Sequence, residues 1–224
     1  MAEKIKVAVF DIIETVFSLK PVRRAMAACG LDGRDLETWF AFGLRDAFAL
    51  DVTHRARPFP EILADALDEL LAIRQIQVRP EAREDVLNAF AKMPAHDDAR
   101  ACFDRLRDGG ITIVALSNGP AERTRSLLDG AGLCSHVQEI LSVESVGRFK
   151  PHISVYEQAF AVTGLPPEAH CMIACHAWDL HGAKCAGMKT AFVGRGQHYP
   201  SVMEPADLTG EELIDVAGEI LKAD

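Results

Sequence analysis

Short runs of apolar, β-branched and aromatic residues recur along the chain, and segments with helical periodicity separate them. The first run, IKVAVF at 5–10, ends at Asp11 and predicts a buried strand of a parallel sheet. The helical segments begin with capping or acidic residues or with proline, and most stop at glycine. This alternation predicts an α/β fold with a doubly wound parallel sheet. Further strands are predicted at 111–116, 139–144, 170–175 and 190–193, and helices at 97–110, 120–132, 154–164 and 179–188.

Residues 18–94 break this alternation, because their patterns are helical and contain no convincing strand. An insert directly after the first strand lies above the carboxyl edge of the sheet, where doubly wound folds bind ligands. We therefore predict a core domain made of 1–17 and 95–224, with 18–94 as a helical cap domain over the site. The helical stretches of the insert are 34–51, 60–73 and 81–93.

Composition narrows the class of partner. The 224-residue chain is 49% hydrophobic and 25% charged, which is ordinary for a globular protein, and its formal net charge is −9. That charge argues against nucleic acid and membrane surfaces, but a local cationic pocket can still bind a small anionic molecule. The N-terminus is too poor in apolar residues for a signal peptide, and no stretch is long enough to span a membrane. We therefore expect a cytoplasmic protein whose six cysteines are reduced.

Polar residues stand at predicted strand ends in four segments: FDIIETVFSL (10–19), LSNGP (116–120), RFKPHISVYEQA (148–159) and AWDLHGAKCAGMKTAFVGR (177–195). Their order and contexts resemble the haloacid dehalogenase (HAD) superfamily, and within it the L-2-haloacid dehalogenases, over nearly the whole chain. The resemblance implies a HAD-like Rossmannoid core with a cap. It also implies hydrolytic dehalogenation of small 2-halo acids through an aspartyl-ester intermediate, with no cofactor.

Asp11 is the residue that the resemblance makes the nucleophile. A carboxylate can attack an electrophilic carbon or phosphorus and form a covalent intermediate that water later cleaves. The plain alternative is that Asp11 caps the turn after its strand, but the three other motifs favour the nucleophile. Thr15 would brace the same turn through its hydroxyl, which is structural support.

Four further residues are expected to support that carboxylate. The Ser117 hydroxyl and backbone N–H groups near Asn118, at the start of a helix, can hold a carboxylate or developing negative charge, although both side chains could also cap that helix. The resemblance implies that Lys150 keeps the nucleophile ionised, against the common alternative of a solvent-exposed lysine. Asp179 would orient Lys150 or the hydrolytic water, with a simple helix N-cap as the alternative.

Two positions separate dehalogenation from phosphoryl transfer. Phosphatases of this superfamily carry an aspartate two residues after the nucleophile, as the acid that protonates the leaving alkoxide, and Ile13 stands there. A halide leaving group needs no proton, so an apolar residue is compatible with dehalogenation. The phosphatases place another magnesium-binding aspartate five residues before the last motif aspartate, where this chain has Ala174. We therefore predict no catalytic metal.

The cap and the fourth motif depart from the dehalogenase pattern. The family usually has an arginine just after a tryptophan in the first long cap helix, but Trp39 is followed by Phe40. Arg45 is the nearest arginine on that helix, and five residues further on it faces elsewhere. His176 stands where the family has asparagine; it could orient water or contact a substrate anion, or be a hydrogen-bonded histidine behind the site. The predicted substrate-binding residues are Ile13, Asn118, Phe40, His176 and Trp178.

Several alternatives stay open. The chain could be a magnesium-dependent phosphatase on the same fold, or a catalytically altered ligand-binding member of the family. A zinc site is disfavoured because its candidate ligands have the wrong spacing. Apolar cap helices could supply a homodimer interface, since dimers are common among the dehalogenases that the chain resembles. The zinc candidates are Cys171, Cys175, His176 and His181, and the aromatic set assigned mostly to the cap core is Trp39, Phe40, Phe42 and Phe48.

Overall fold

The computed structural model describes residues 4–223, and within them six strands form one parallel sheet. The strands are β1 (Val7–Phe10), β2 (Thr112–Ser117), β3 (Glu139–Ser142), β4 (His170–Ala174), β5 (Lys189–Val193) and β6 (Leu208–Gly210). Their order in the sheet is β3-β2-β1-β4-β5-β6, so β1 is central and pairs with both β2 and β4. This sheet confirms the predicted doubly wound α/β class.

Nine α-helices accompany the sheet in the described part of the chain. α5 packs against α9, and α7 packs against α8, so the helices cover the sheet in layers. The helices are α1 (Lys20–Ala28), α2 (Asp35–Val52), α3 (Phe59–Ile73), α4 (Pro80–Phe90), α5 (Ala99–Asp108), α6 (Ala121–Gly130), α7 (Ile153–Thr163), α8 (Ala177–Cys185) and α9 (Leu213–Lys222).

Some predicted boundaries are wrong by one to three residues. β3 ends at Ser142 rather than at 144, because a 3₁₀ turn follows in which the Ser142 hydroxyl accepts the Glu144 N–H at 3.1 Å. α8 begins at Ala177, two residues earlier than predicted. Pro120 is the N-cap of α6 rather than its first helical residue. The short strand β6 was not predicted, because its sequence contains no run of apolar residues.

Helices α1 to α4 occupy most of the segment between β1 and α5. α2 packs on α3 and α1 packs on α4. The buried Trp39 indole donates from Nε1 to the carbonyl of Leu63 at 2.8 Å, which joins α2 to α3 in the interior. Asp51 on α2 accepts from the Arg148 guanidinium and from the Phe149 N–H, both at 2.8 Å, and so ties this segment to the loop before α7.

The strand order of the sheet determines where the site lies. The chain runs from β1 to β2 on one side and later returns to β4 on the other, so the carboxyl ends of β1 and β4 border the crevice at the switch point. Asp11 follows β1 directly, and Cys175 and His176 follow β4. Among residues 4–223, no helix combines the length and hydropathy needed to cross a membrane.

Candidate active site

Asp11, Lys150 and Asp179 form a buried chain of charges at the carboxyl edge of the sheet. The Lys150 ammonium donates to Asp11 Oδ1 at 3.1 Å and to Asp179 Oδ2 at 2.8 Å. Lys150 and Asp179 are 0% exposed and Asp11 is 7% exposed. A lysine with no solvent contact needs such partners, because an isolated buried charge is very costly. The common alternative of an exposed lysine is therefore wrong for Lys150.

These contacts set the ionisation of the nucleophile candidate. Burial alone would raise the pKa of Asp11, but the Lys150 ammonium, His176 and the Thr15 hydroxyl outweigh it and bring that pKa well below its usual range. Burial likewise lowers the pKa of Lys150, yet the two carboxylates reverse the effect and raise it. For Asp179, burial dominates and raises the pKa. Asp11 is thus held as a carboxylate at neutral pH.

Asp179 is fixed by the start of α8 and by α7. Its Oδ1 accepts from the Tyr156 hydroxyl at 2.7 Å while Oδ2 accepts from Lys150. The N-cap position of α8 belongs to His176, so the alternative that Asp179 is a simple N-cap is wrong. Gly182 lets α7 and α8 approach closely, since a Cβ there would lie 2.5 Å from Pro151 Cβ and 2.7 Å from the Tyr156 hydroxyl.

Thr15 braces the loop after β1 against the end of β4. Its hydroxyl donates to Asp11 Oδ2 at 2.7 Å and accepts the N–H of Cys175 at 3.0 Å. One side chain therefore joins the carboxylate to the neighbouring strand end and leaves Asp11 little freedom to rotate.

Ser117 and Asn118 form a tight turn after β2. Ser117 Oγ accepts the Gly119 N–H at 2.9 Å, and Asn118 Oδ1 accepts the Lys150 N–H at 3.1 Å. Neither side chain caps α6, whose N-cap Pro120 has no side-chain hydrogen bond, so the capping alternative is wrong. The turn instead fixes the backbone of Lys150 and places the Ser117 hydroxyl on a cavity wall.

His176 lies between two carboxylates. Its Nδ1 is 3.4 Å from Asp11 Oδ2, and its Nε2 is 3.0 Å from Glu14 Oε2. The ring stacks on Phe40 of α2, with centroids 5.8 Å apart, and on Trp178 of α8, at 5.5 Å. His176 therefore touches the nucleophile candidate directly, and the alternative of a histidine behind the site is wrong.

Glu14 is a site residue that the sequence analysis missed. It follows Asp11 by three positions and adopts a φ of 63°, a left-handed conformation that is uncommon outside glycine. Its backbone N–H donates to the Phe17 carbonyl at 2.8 Å, and its own carbonyl contacts His96 Nε2 at 2.9 Å. Backbone strain of this kind often accompanies function. The sequence does contain this acidic residue three positions after the first motif aspartate, but there it looks like an ordinary loop residue.

The surroundings of His176 favour its charged form. Burial alone would lower the pKa of this imidazole, but Cys175 and the carboxylates of Asp11 and Glu14 outweigh burial and raise it well above the usual value. The His176 ring is therefore an imidazolium at neutral pH.

A cavity of about 180 Å³ extends from the site between the core and helices α2 to α4. Ser117 and Ile13 border it on the core side, and most of the other lining side chains are apolar. Arg123 of α6 and Asn88 of α4 also line it, and the sequence analysis missed both. A separate cavity of about 140 Å³ is bordered by Glu14, Phe40, His176 and α2. The apolar lining residues of the first cavity include Ile12, Trp39, Phe59, Leu63, Leu87, Phe90, Met93 and Leu127.

Arg45 does not replace the missing cap arginine. Its side chain is 50% exposed, pairs with Asp46 and Glu69, and lies over the Phe42 ring. Phe48 instead meets Trp178 edge to face, at 5.7 Å.

The residues at this site do not fit magnesium. The phosphatases that the motifs resemble need further carboxylates at the positions of Ile13 and Ala174, and both of these side chains are buried and apolar. Of the carboxylates that are present, Asp11 and Asp179 share the Lys150 ammonium, which already supplies the positive charge between them, and Glu14 faces His176.

Of the four zinc candidates named from the sequence, the structure brings only Cys175 and His176 together. Cys171 is buried in β4, and His181 contacts Cys185 and the Glu204 N–H instead. Glu14, Cys175 and His176 do place ligand atoms within 4.8 Å of one another. Three donors fall short of the four ligands of a structural zinc site, and both imidazole nitrogens already face carboxylates.

Comparison with known proteins places the chain in a class. A model of the haloacid dehalogenase-like hydrolase family matches residues 5–187. The chain therefore belongs to the haloacid dehalogenase-like hydrolases, as its four motifs predict.

Individual relatives fall into two groups. (S)-2-haloacid dehalogenase 4A of Burkholderia cepacia is 24% identical over 202 residues, which are 89% of this chain and 87% of that protein. Phosphoserine phosphatase of Thermus thermophilus is 30% identical over 167 residues, 72% of this chain and 65% of that protein. Among solved structures, L-2-haloacid dehalogenase from Xanthobacter autotrophicus matches with a TM-score of 0.88 at 22% identity, covering 96% of this chain and 98% of that one. The last match supports the same fold.

Proposed function

We propose that this chain is a hydrolase that acts on carbon–halide bonds and converts small 2-halo acids to 2-hydroxy acids. The observation that carries the proposal is Asp11, a buried carboxylate held ionised by Lys150, beside a position where Ile13 supplies no acid. Such a carboxylate suits attack on carbon with a leaving group that departs without a proton. The dehalogenases among its relatives support the same activity.

The reaction has two steps. An Asp11 oxygen attacks the α-carbon, the carbon–halogen bond breaks with inversion, and halide leaves with the bonding pair. Water then attacks the Asp11 carbonyl carbon of the ester, which releases the 2-hydroxy acid and regenerates the carboxylate. Lys150 keeps Asp11 ionised for the first step, and Asp179 and Tyr156 hold Lys150 in place.

The substrate would enter through the apolar cavity. We assign its carboxylate to the Ser117–Asn118 turn, where a hydroxyl and backbone N–H groups can donate, with Arg123 as the cation that lines the same cavity. Ile13 would contact the carbon chain. Phe40, Trp178 and His176 would close the site from the side of α2 and α8.

Halide release tests this proposal. Wild type is incubated with 2-chloro-, 2-bromo- and fluoroacetate and with the corresponding propionates, and halide and 2-hydroxy acid are measured. Asp11→Asn should abolish release while keeping the fold, and Asp46→Asn on the exposed face of α2 should not. No halide from any substrate with wild type would overturn the assignment.

A phosphatase is the second candidate, because one relative is a phosphoserine phosphatase. Ile13 and Ala174 oppose it, since the first cannot donate a proton and the second cannot bind a cation. A screen of phosphomonoesters with and without magnesium should give near-zero turnover. A ligand-binding member without activity would instead be stabilised by 2-hydroxy acids with no turnover, and Asp11→Asn would not change that stabilisation.

We also propose the setting in which this activity operates. Residues 18–94 would act as a cap domain over the core, with Asp51 holding it to the Lys150 loop. The acidic composition supports a cytoplasmic protein that handles small anions rather than nucleic acid or membranes. A homodimer stays a prediction, and light scattering of the purified chain measures it.

A further inference from the structure

Arg195 is held in a backbone conformation that favours glycine. It stands between Gly194 and Gly196 directly after β5 and has a φ of 45°, in the left-handed region that residues with a Cβ seldom adopt. The turn does not need an arginine, because the Arg195 N–H donates to the carbonyl of Glu211 at 3.0 Å. Side chains kept in such conformations are concentrated at functional sites. The side chain of Arg195 therefore has a role outside its own turn.

The guanidinium of Arg195 reaches the loop after β1. Its Nη2 donates to the Thr15 carbonyl at 3.2 Å and to Asp98 Oδ1 at 3.3 Å. The side chain is only 18% exposed, and its Nε is buried without a hydrogen-bond partner among the described residues. A buried donor without a partner lowers the stability of the fold. The guanidinium is therefore not placed where its own hydrogen bonds are best satisfied.

Asp98 anchors that guanidinium to the core. Its Oδ1 accepts from Arg195, and its Oδ2 accepts the N–H of Leu213, the first residue of α9, at 2.6 Å. Asp98 is itself the N-cap residue of α5, and its side chain is 10% exposed. Because α5 and α9 pack against each other, the starts of two core helices fix the position of the guanidinium.

Thr15 connects Arg195 to the nucleophile candidate. The Thr15 hydroxyl donates to Asp11 Oδ2 at 2.7 Å and accepts the Cys175 N–H at 3.0 Å, while its carbonyl accepts from Arg195. Holding the carbonyl fixes the residue that carries the hydroxyl. We propose that Arg195 is a positioning residue that orients Asp11 for attack by fixing Thr15 from the side of β5, a role that rests on the proposed function.

A second residue holds the carbonyls on either side of Thr15. His96 Nε2 is 2.9 Å from the Glu14 carbonyl oxygen, and the His96 N–H donates to the Val16 carbonyl at 2.9 Å. Burial and the nearby guanidinium of Arg195 lower the pKa of His96, so its ring is neutral at neutral pH and Nε2 donates its proton to that carbonyl. Three successive carbonyls of the loop are thus fixed from outside it.

The two oxygens of Asp11 are held from different sides. Lys150 donates to Oδ1 and Thr15 donates to Oδ2. Loss of Arg195 releases only the Thr15 side, so Asp11 stays ionised beside the ammonium while its orientation becomes less fixed. The attacking oxygen must lie in line with the carbon–halogen bond, and a misplacement of about 1 Å can cost about 10²-fold in rate. We therefore expect slower alkylation with unchanged substrate binding.

Arg195→Gly tests this role, because it removes the side chain and suits the left-handed turn. Single-turnover bromide release from 2-bromopropionate should slow by about 10- to 100-fold, while the substrate concentration that gives half the maximal rate stays within about twofold of wild type. Gln75→Gly is the matched control, since Gln75 has a φ of 55° in the exposed turn after α3. It should release bromide as wild type does.

Guanidinium chloride tests the missing group directly. At millimolar concentrations it should restore part of the rate of Arg195→Gly and leave Gln75→Gly unchanged. Sodium chloride at the same concentration controls for ionic strength. Equal effects of the two salts on Arg195→Gly would overturn a role for the guanidinium.

A double-mutant cycle tests whether Arg195 acts through Thr15. Thr15→Val removes the hydroxyl that holds Asp11, so adding Arg195→Gly to it should slow bromide release by less than about twofold. A further loss as large as that of Arg195→Gly alone would show that the two residues act independently, against the proposed role.

The outcomes distinguish this role from the proposed function. A wild-type rate of bromide release in Arg195→Gly, or a change confined to the half-saturating concentration, would overturn the positioning role and leave dehalogenation intact. If wild type itself releases no bromide, the proposed function fails. The urea midpoints of the same cycle then test the contact, and additive changes would overturn it. Should Arg195→Gly not fold, as judged by circular dichroism, Arg195→Lys decides with the same rates, since it keeps the charge opposite Asp98 but brings fewer donors to Thr15.

Discussion

Lys150 shows how much depends on a single side chain at this site. Its ammonium is the shared partner of Asp11 and Asp179, and all three residues are buried. Lys150→Met keeps the length and apolar stem of the side chain but leaves two buried carboxylates without their cation. We expect a loss of about 3–5 kcal/mol in the free energy of unfolding.

The same change should raise the pKa of Asp11, because burial then acts without the opposing ammonium. Halide release by Lys150→Met should therefore be negligible at neutral pH even where the variant is folded. Urea unfolding and halide assays measure the two effects, with the exposed Lys92→Met as the control. A Lys150→Met protein as stable as wild type would contradict the charge balance described for the site.

At this scale the sequence identifies the residues that carry recognisable motifs, which are Asp11, Ser117, Lys150 and Asp179. Hydrogen bonds join Asp11, Lys150 and Asp179, and Ser117 ends β2, which pairs with β1. Glu14 escapes because its partner, His176, follows β4, and only the pairing of β1 with β4 makes the two residues neighbours. Arg123 and Asn88 escape because the cavity that they line exists only where helices of the insert meet the core.

Among the helices, the close contact of α8 with α7 positions the Asp179 side of the site. A methyl group on Gly182 would lie 2.8 Å from the Pro151 carbonyl oxygen and 2.7 Å from the Tyr156 hydroxyl. Gly182→Ala must therefore displace α8, and we expect a loss of about 1–3 kcal/mol in the free energy of unfolding together with slower turnover. Thermal unfolding and halide assays check both.

Gly130→Ala is the control for that prediction. Gly130 lies at the end of α6 and has nothing within 4 Å of an added Cβ, so alanine there should leave stability equal or slightly higher. If Gly182→Ala were as well tolerated as Gly130→Ala, the packing of α7 on α8 would not determine the position of Asp179.

The contact between α2 and the loop that carries Lys150 is a second contact between elements that positions the site. Asp51 accepts two hydrogen bonds from Arg148 and one from the Phe149 N–H. Burial alone would raise the pKa of Asp51, but Arg148 and the Phe149 N–H outweigh it and lower that pKa. Asp51→Asn should cost about 1.5–3 kcal/mol, the usual contribution of hydrogen bonds to a charged group, and should lower kcat/KM because the insert and the loop then move apart.

Asp46→Asn, on the same helix, is the matched comparison. Asp46 pairs with Arg45 at the surface, where such pairs contribute little, and both its stability and its kinetics should match wild type. Differential unfolding and steady-state kinetics on the two variants measure the contrast, and equal behaviour would contradict a role for Asp51 in closing the site.

For the elements, the alternation of apolar runs and capped helices was enough to predict five of the strands and the insert. β6 and the ends of several elements could not be predicted from this pattern. β6 is three residues long, and its pairing with β5 is set by the sheet that is already present rather than by its own sequence. The start of α8 at Ala177 depends on the turn that brings His176 against Asp11, which is a contact between distant segments.

In the molecule as a whole, the switch point of the sheet brings together charged side chains whose proximity cannot be predicted from the composition. A chain with a net charge of −9 places one buried ammonium and one imidazolium around its reactive carboxylate. These two cations partner the carboxylates of Asp11, Asp179 and Glu14, so the negative charge of the site is largely compensated locally. This compensation cannot be derived from composition, because it depends on which strand ends are neighbours.

The imidazolium also links the stability of the whole fold to pH. The folded pKa of His176 lies well above its ordinary value of 6.5, because Cys175, Asp11 and Glu14 outweigh burial. Protonation therefore contributes stability that is fully present below about pH 6.5 and is lost as pH rises through the folded pKa. The difference in free energy of unfolding between wild type and His176→Asn should accordingly be largest at pH 5–6 and shrink above it. Urea unfolding across this range measures the difference, Glu14→Gln should reduce it, and a difference that grew with pH would show that His176 is neutral in the folded protein.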